Sequence, residues 1–121
     1  MSTPDFTNGV LLIEDYEKRQ LELLERAWNH IIKERNRRYL ADHYGEIIST
    51  LLKPDSVRTS TKEANVVIYE RRFDDFKVVG TSVGRAWINV VVNWKTRRVL
   101  TVYTSPHERT QGSVVWPKSE E

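Results

Sequence analysis

The apolar positions of this chain fall into two textures, one with helical spacing and one with dense β-branched runs. In the first half, Leu21, Leu24, Trp28, Ile31 and Ile32 recur every three or four residues, with Glu22, Glu25, Arg26 and Lys33 between them. That spacing predicts an amphipathic helix over residues 15–35, with Asp15 as N-cap and Glu17 in its first turn. Leu40, Tyr44, Ile47, Ile48 and Leu51 predict a second helix over residues 40–52, stopped by Lys53-Pro54-Asp55. The earlier run Val10-Leu11-Leu12-Ile13 is too short for periodicity to choose between an edge strand and a helical turn.

After Pro54 the texture becomes strand-like. Residues 57–60 are a weak candidate, residues 65–71 a stronger one, and Asp74-Asp75 reads as a turn before a short run at Lys77-Val78-Val79. The strongest stretch is residues 87–105, WINVVVNWKTRRVLTVYTS, which predicts a β-hairpin around a charged turn. An even loop there sets Val92 opposite Thr101, so that Thr101 and Tyr103 share a face with Ile88, Val90, Val92 and Trp94. An odd loop sets the two hydroxyls with Asn89 and Asn93 instead. With no Asn-Gly or Asp-Gly to fix a tight turn, the even pairing is the expectation. Helices followed by strands indicate an α+β fold with an antiparallel sheet.

The length of 121 residues indicates one domain. Residues 1–9 read as a loose tail, 10–110 as the globular core and 111–121 as an extension, in which Val114-Val115-Trp116 could cover a sheet edge. The absence of cysteine excludes disulfides, a thiol nucleophile and a thiolate metal site, and leans toward the cytoplasm. No basic leader and no long apolar run is present, so neither a secretory signal nor a membrane span is expected. Net charge is only +2, but the basic residues cluster at residues 33–38, at Arg71-Arg72 and at Arg97-Arg98. Acidic residues gather in the first helical stretch and at the C-terminus. The three histidines, His30, His43 and His107, lack metal-ligand spacing, and neither a metal nor another cofactor is expected.

Arg35 falls on the apolar stripe of the first predicted helix. Either the helix ends before it, or its guanidinium faces a cleft between helix and sheet. His30 lies off the stripe and reads equally as an exposed histidine or as an acid–base group. Metal-free RNA cleavage needs a base for the 2′-OH, an acid for the leaving oxygen and a cation for the phosphate, and His, Arg, Tyr and Thr supply those functions.

An ordered string of motifs runs through the chain: Trp28-Asn29-His30-Ile31-Ile32, Glu34-Arg35, Ile47-Ile48, Pro54-Asp55, Val57, Ile68-Tyr69, Val90-Val91-Val92 and Val99-Leu100-Thr101-Val102-Tyr103. Over residues 28–104 it resembles the phage-associated nuclease-like domains of the barnase–EndoU–colicin–RelE superfamily. The resemblance implies, in agreement with the pattern, two N-terminal helices packed on a four- to five-stranded antiparallel sheet, and a metal-independent, toxin-like endoribonuclease with His30, Arg35, Arg71, Thr101 and Tyr103 at the catalytic centre. The basic residues Arg37, Arg38, Arg97 and Arg98 would add RNA backbone contacts. Asn36 stands where such domains often carry a histidine, which leaves an inactive RNA-binding or protein-interaction module of the same fold as the alternative. A protein inhibitor or immunity partner is a further implication of the resemblance.

Overall fold

The computed structural model describes residues 3–117. Its frame is a seven-stranded mixed sheet in the order β1-β2-β6-β5-β4-β3-β7, formed by β1 (Val10–Glu14), β2 (Gln20–Leu24), β3 (Ser56–Thr59), β4 (Val66–Val78), β5 (Thr81–Asn93), β6 (Arg98–Ser105) and β7 (Val114–Trp116). Two short helices, α1 (Glu25–Lys33) and α2 (Tyr44–Leu52), are joined by a 3-10 segment, Arg35–His43. Thus the expected pair of N-terminal helices on a four- to five-stranded antiparallel sheet is not what forms. A β-hairpin precedes the first helix, and β2 meets β6 in parallel.

The difference begins at Asp15, which organises a turn instead of capping a helix. Its Oδ1 accepts the backbone N–H groups of Glu17 and Arg19, each at 2.9 Å, and its Oδ2 accepts Arg19 Nη1 at 2.9 Å. The chain reverses there and Gln20–Leu24 pairs with Val10–Glu14. Within β2, Leu21 and Leu23 are both buried, a period of two rather than of 3.6. The helical reading used Leu21 and Leu24 and left Leu23 off the stripe. Helix α1 then starts ten residues later than expected and ends at Lys33, because Glu34 turns to an extended conformation (ψ 127°).

The core lies between the helices and one face of the sheet. On that face Val57, Tyr69, Val90 and Val102 are consecutive register partners across β3, β4, β5 and β6. They pack in one apolar cluster with Trp28, Ile31, Ile47 and Leu51. Val66 and Ile68, also buried, lie outside that cluster because they point to the opposite face.

Strand β4 runs through the expected turn at Asp74-Asp75. A register irregularity between Phe73 and Phe76 absorbs the two aspartates, and Arg72 and Arg85 both approach Asp74. The reversal occurs instead at Val79-Gly80, both at positive φ. Trp116 of β7 packs against Tyr16 at 5.1 Å, so the predicted cover for a sheet edge does form, on β3. Phe6 from the expected loose tail also packs against the core. The acidic end at Glu120-Glu121 lies outside the described residues. Among the described residues no helix is long and apolar enough to cross a membrane.

Candidate functional site

The β5–β6 hairpin decides what the opposite face carries. Its loop is Trp94–Arg97, closed by the pair Asn93↔Arg98 and by Asn93 Oδ1, which accepts the N–H groups of Lys95 and Thr96. Val92 faces Val99, but the next pair is Val91↔Thr101, because Leu100 is an extra residue in a β-bulge. From there on Thr101 and Tyr103 sit opposite Val91 and Asn89. The expected even pairing with Val92 therefore does not hold. The loop is even, but the bulge moves both hydroxyls away from the helices.

That register builds a polar row. Ser56, Glu70, Asn89 and Tyr103 are direct partners across β3, β4, β5 and β6. Glu70 is 2% exposed and Asn89 fully buried. The next row on the same face is Arg58, Ile68, Val91 and Thr101. Residues 106–113 cross above, and Arg109 donates its backbone N–H to Glu70 Oε2 at 2.8 Å and its Nη1 to Tyr103 Oη at 3.3 Å. Burial raises the proton affinity of Glu70, and Glu108 adds to the rise; the Arg109 N–H and the charges of Arg58 and Arg109 oppose it. Asn89 Nδ2 donates to Ser105 Oγ at 3.1 Å. Four buried polar atoms in this zone lack a hydrogen-bond partner: Ser56 Oγ, Arg58 Nε, Asn89 Oδ1 and Arg109 Nε. Such groups are rare in a folded protein, where a buried polar atom ordinarily has a partner.

A second arginine arrives from the helix layer. Arg37 Nη1 donates to Thr101 Oγ1 at 2.8 Å, while Tyr39 shares a hydrogen bond with Thr104, which points to the other face of β6. The 3-10 segment therefore straddles the edge of β6. Arg37 and Arg109 each hold one hydroxyl of the Thr101–Tyr103 pair.

The five residues expected at a catalytic centre do not gather. Thr101 and Tyr103 share the polar face. Arg71 is a register partner of Ile88 on the opposite, helix-side face and donates to the carbonyl of Lys53 at 2.7 Å. His30 is an exposed residue of α1, 3.9 Å from Glu34. Arg35 is exposed at the start of the 3-10 segment, since α1 has already ended. Of the four basic residues expected to contact RNA, Arg37 reaches the site. Arg38 is exposed beside it, Arg98 pairs with Glu22 at 3.2 Å, and Arg97 serves the turn at φ 62°, its carbonyl accepting the Glu22 N–H.

Sequence reasoning missed Ser56, Arg58, Glu70, Asn89 and Arg109. The usable signal was a carboxylate ending the apolar run Val66-Val67-Ile68-Tyr69, and an asparagine inside Ile88-Asn89-Val90. Among the described residues, no group of three or more His, Asp or Glu side chains has an arrangement suited to a metal ion. Comparison of the chain with family models, curated proteins and solved structures returned no match.

Proposed function

We propose that the chain is an RNA-directed, nuclease-like domain whose working surface is the polar face of the sheet. The observation that carries this reading is the row Ser56–Glu70–Asn89–Tyr103, bracketed by Arg58, Arg109 and the Arg37–Thr101 pair. A carboxylate with raised proton affinity is a general base tuned toward neutral pH. In this reading Glu70 takes the proton of a ribose 2′-OH, the 2′-oxygen attacks the adjacent phosphorus, and the 5′-oxygen leaves with a proton. The products are a 2′,3′-cyclic phosphate and a 5′-hydroxyl end. Tyr103, in the same row and bonded to Arg109, supplies the leaving-group proton, and Arg37 and Arg109 meet the charge on the phosphate. His30, Arg35 and Arg71 have no part in the chemistry. An RNA substrate and a cysteine-free chain suit a cytoplasmic setting.

A second reading is a module that holds RNA without cutting it. It is favoured by one contact: the Arg109 N–H already occupies Glu70, the group that would act as base.

The test is incubation with single-stranded and structured RNA in EDTA, beside Glu70→Gln, Tyr103→Phe and His30→Ala. Expected is cleavage that drops about a hundredfold or more in Glu70→Gln, the range of an acid–base contribution, and is unchanged in His30→Ala. Equal cleavage by all four proteins would indicate a contaminant and reject the enzyme. Binding that weakens steeply with salt, without cleavage, would establish the second reading. Binding to no RNA rejects both.

A further inference from the structure

We propose that residues 106–113 form a strap that closes the polar row and opens as a unit, and that the uncovered row takes a ribose phosphodiester in place of the strap. This rests on the reading of the row as the working surface.

The strap is built to detach. It has no helix or strand, and within it only Arg109 and Gly112 are withdrawn from solvent. The bonds that hold it to the sheet are polar. Ser105 Oγ donates to the His107 carbonyl at 2.9 Å, Arg109 binds Glu70 and Tyr103, and Arg58 Nη1 reaches the Gly112 carbonyl at 3.4 Å. At the far end the Thr59 N–H donates to the Ser113 carbonyl and the Ser113 N–H to Thr59 Oγ1, each at 2.9 Å. Beyond it β7 stays anchored through Trp116 against Tyr16. Water or an anion can replace each of these strap bonds.

What lies beneath specifies the ligand. The unpartnered atoms are a guanidinium N–H donor on the sheet (Arg58 Nε) and another carried by the strap itself (Arg109 Nε), one carbonyl acceptor (Asn89 Oδ1) and one hydroxyl (Ser56 Oγ). The two donors match phosphate oxygens, and the acceptor matches a hydroxyl donor. RNA offers both groups on adjacent atoms, and DNA lacks the 2′-OH. Arg109 would then exchange Tyr103 for phosphate as the strap lifts.

Gly112 provides the handle. It sits at φ +84°, and a Cβ there would lie 2.0 Å from the Thr59 carbonyl oxygen, so Gly112→Ala must push the strap off β3. Glu70 accessibility is read by carbodiimide labelling of the native protein, and affinity by titration with a short single-stranded RNA and its DNA counterpart. Expected in Gly112→Ala is a rise in Glu70 labelling of about tenfold at unchanged far-UV circular dichroism. RNA should bind about threefold or more tighter, with a smaller gain for DNA. Thr59→Val, which removes only the bond to the Ser113 N–H, should move both readings the same way by less, and it decides the matter if Gly112→Ala does not fold. Glu70 labelling that is equal in all three proteins, or that rises only with global unfolding in urea, overturns the strap. RNA binding that is equal in all three while labelling rises overturns its role as a cover. Labelling that rises while no protein binds RNA upholds the opening strap and rejects the RNA reading on which the ligand depends.

Discussion

Two rows of the sheet lie one residue apart and, Tyr103 aside, share almost nothing but their burial. Val57, Tyr69, Val90 and Val102 cross strands β3 to β6 on one face, and Ser56, Glu70, Asn89 and Tyr103 cross the same strands on the other. The first row is sealed by helices and satisfies itself: its one polar atom, Tyr69 Oη, donates to Asp15 Oδ2 at 2.6 Å and accepts from Trp94 Nε1 at 2.9 Å. The second row is roofed by an irregular strap and left with unpartnered polar atoms. Burial alone thus does not mark a core. The distinguishing question is whether each buried polar group finds its partner inside the chain.

Ile88 and Asn89 are neighbours, both fully buried, and point to the two faces, so they offer the sharpest test of that contrast. Ile88→Ala should cost about 3 kcal/mol in urea unfolding, the usual loss for a buried isoleucine whose cavity cannot collapse. Asn89→Ala should cost about 1 kcal/mol, because it removes one good hydrogen bond together with an unpaired carbonyl. Equal losses at the two positions would erase the distinction between the faces.

Glu70 supplies a pH signature. Its proton affinity in the folded protein exceeds the ordinary glutamate value near 4.5, so the folded state binds the proton more tightly than the unfolded chain. Between the ordinary value and the raised one, unfolding free energy therefore falls as pH rises. Stability measured against pH should show this slope in the native protein and lose it in Glu70→Gln. An unchanged slope would assign the effect to another group. The smallest expected change is at Thr101→Val. Thermal stability should shift by less than about 0.5 kcal/mol, since the side chain is only half-buried. RNA affinity should drop, since Arg37 loses the hydroxyl that orients it. A large stability loss there would mean that the Arg37 contact is structural.

The elements legible in the sequence are those whose local signal and tertiary role agree. The end of α2 at Leu52 follows from Pro54, and the 87–105 hairpin from its β-branched runs. Residues 15–24 misled because Leu21 and Leu24 fit a helical stripe that continues into the true helix at Trp28 and Ile31. Only Leu23, buried in β2, and the turn formed by Asp15 separate the two readings, and that turn depends on Tyr69, 54 residues away. Thr101 and Tyr103 were recognisable as out of place on an apolar strand. Their actual surroundings were not, because Arg37 meets Thr101, and Arg109 joins Tyr103 to Glu70, only through strand order and the paths of the 3-10 segment and the strap. Arg35 looked like a core cation because the stripe was extended past Glu34, where α1 has already stopped.

The bulge at Leu100 works as a frame marker for the last strand. Upstream of it the hairpin is read in one phase and downstream in the other, and this single extra residue assigns Thr101 and Tyr103 to the polar row and Val102 to the core. Were Leu100 kept but drawn into regular pairing opposite Val91, every later side chain of β6 would be transposed, presenting two hydroxyls to the helices and a valine to Arg109. A strand that reads as regular by its β-propensity thus owes the placement of its side chains to one irregular position.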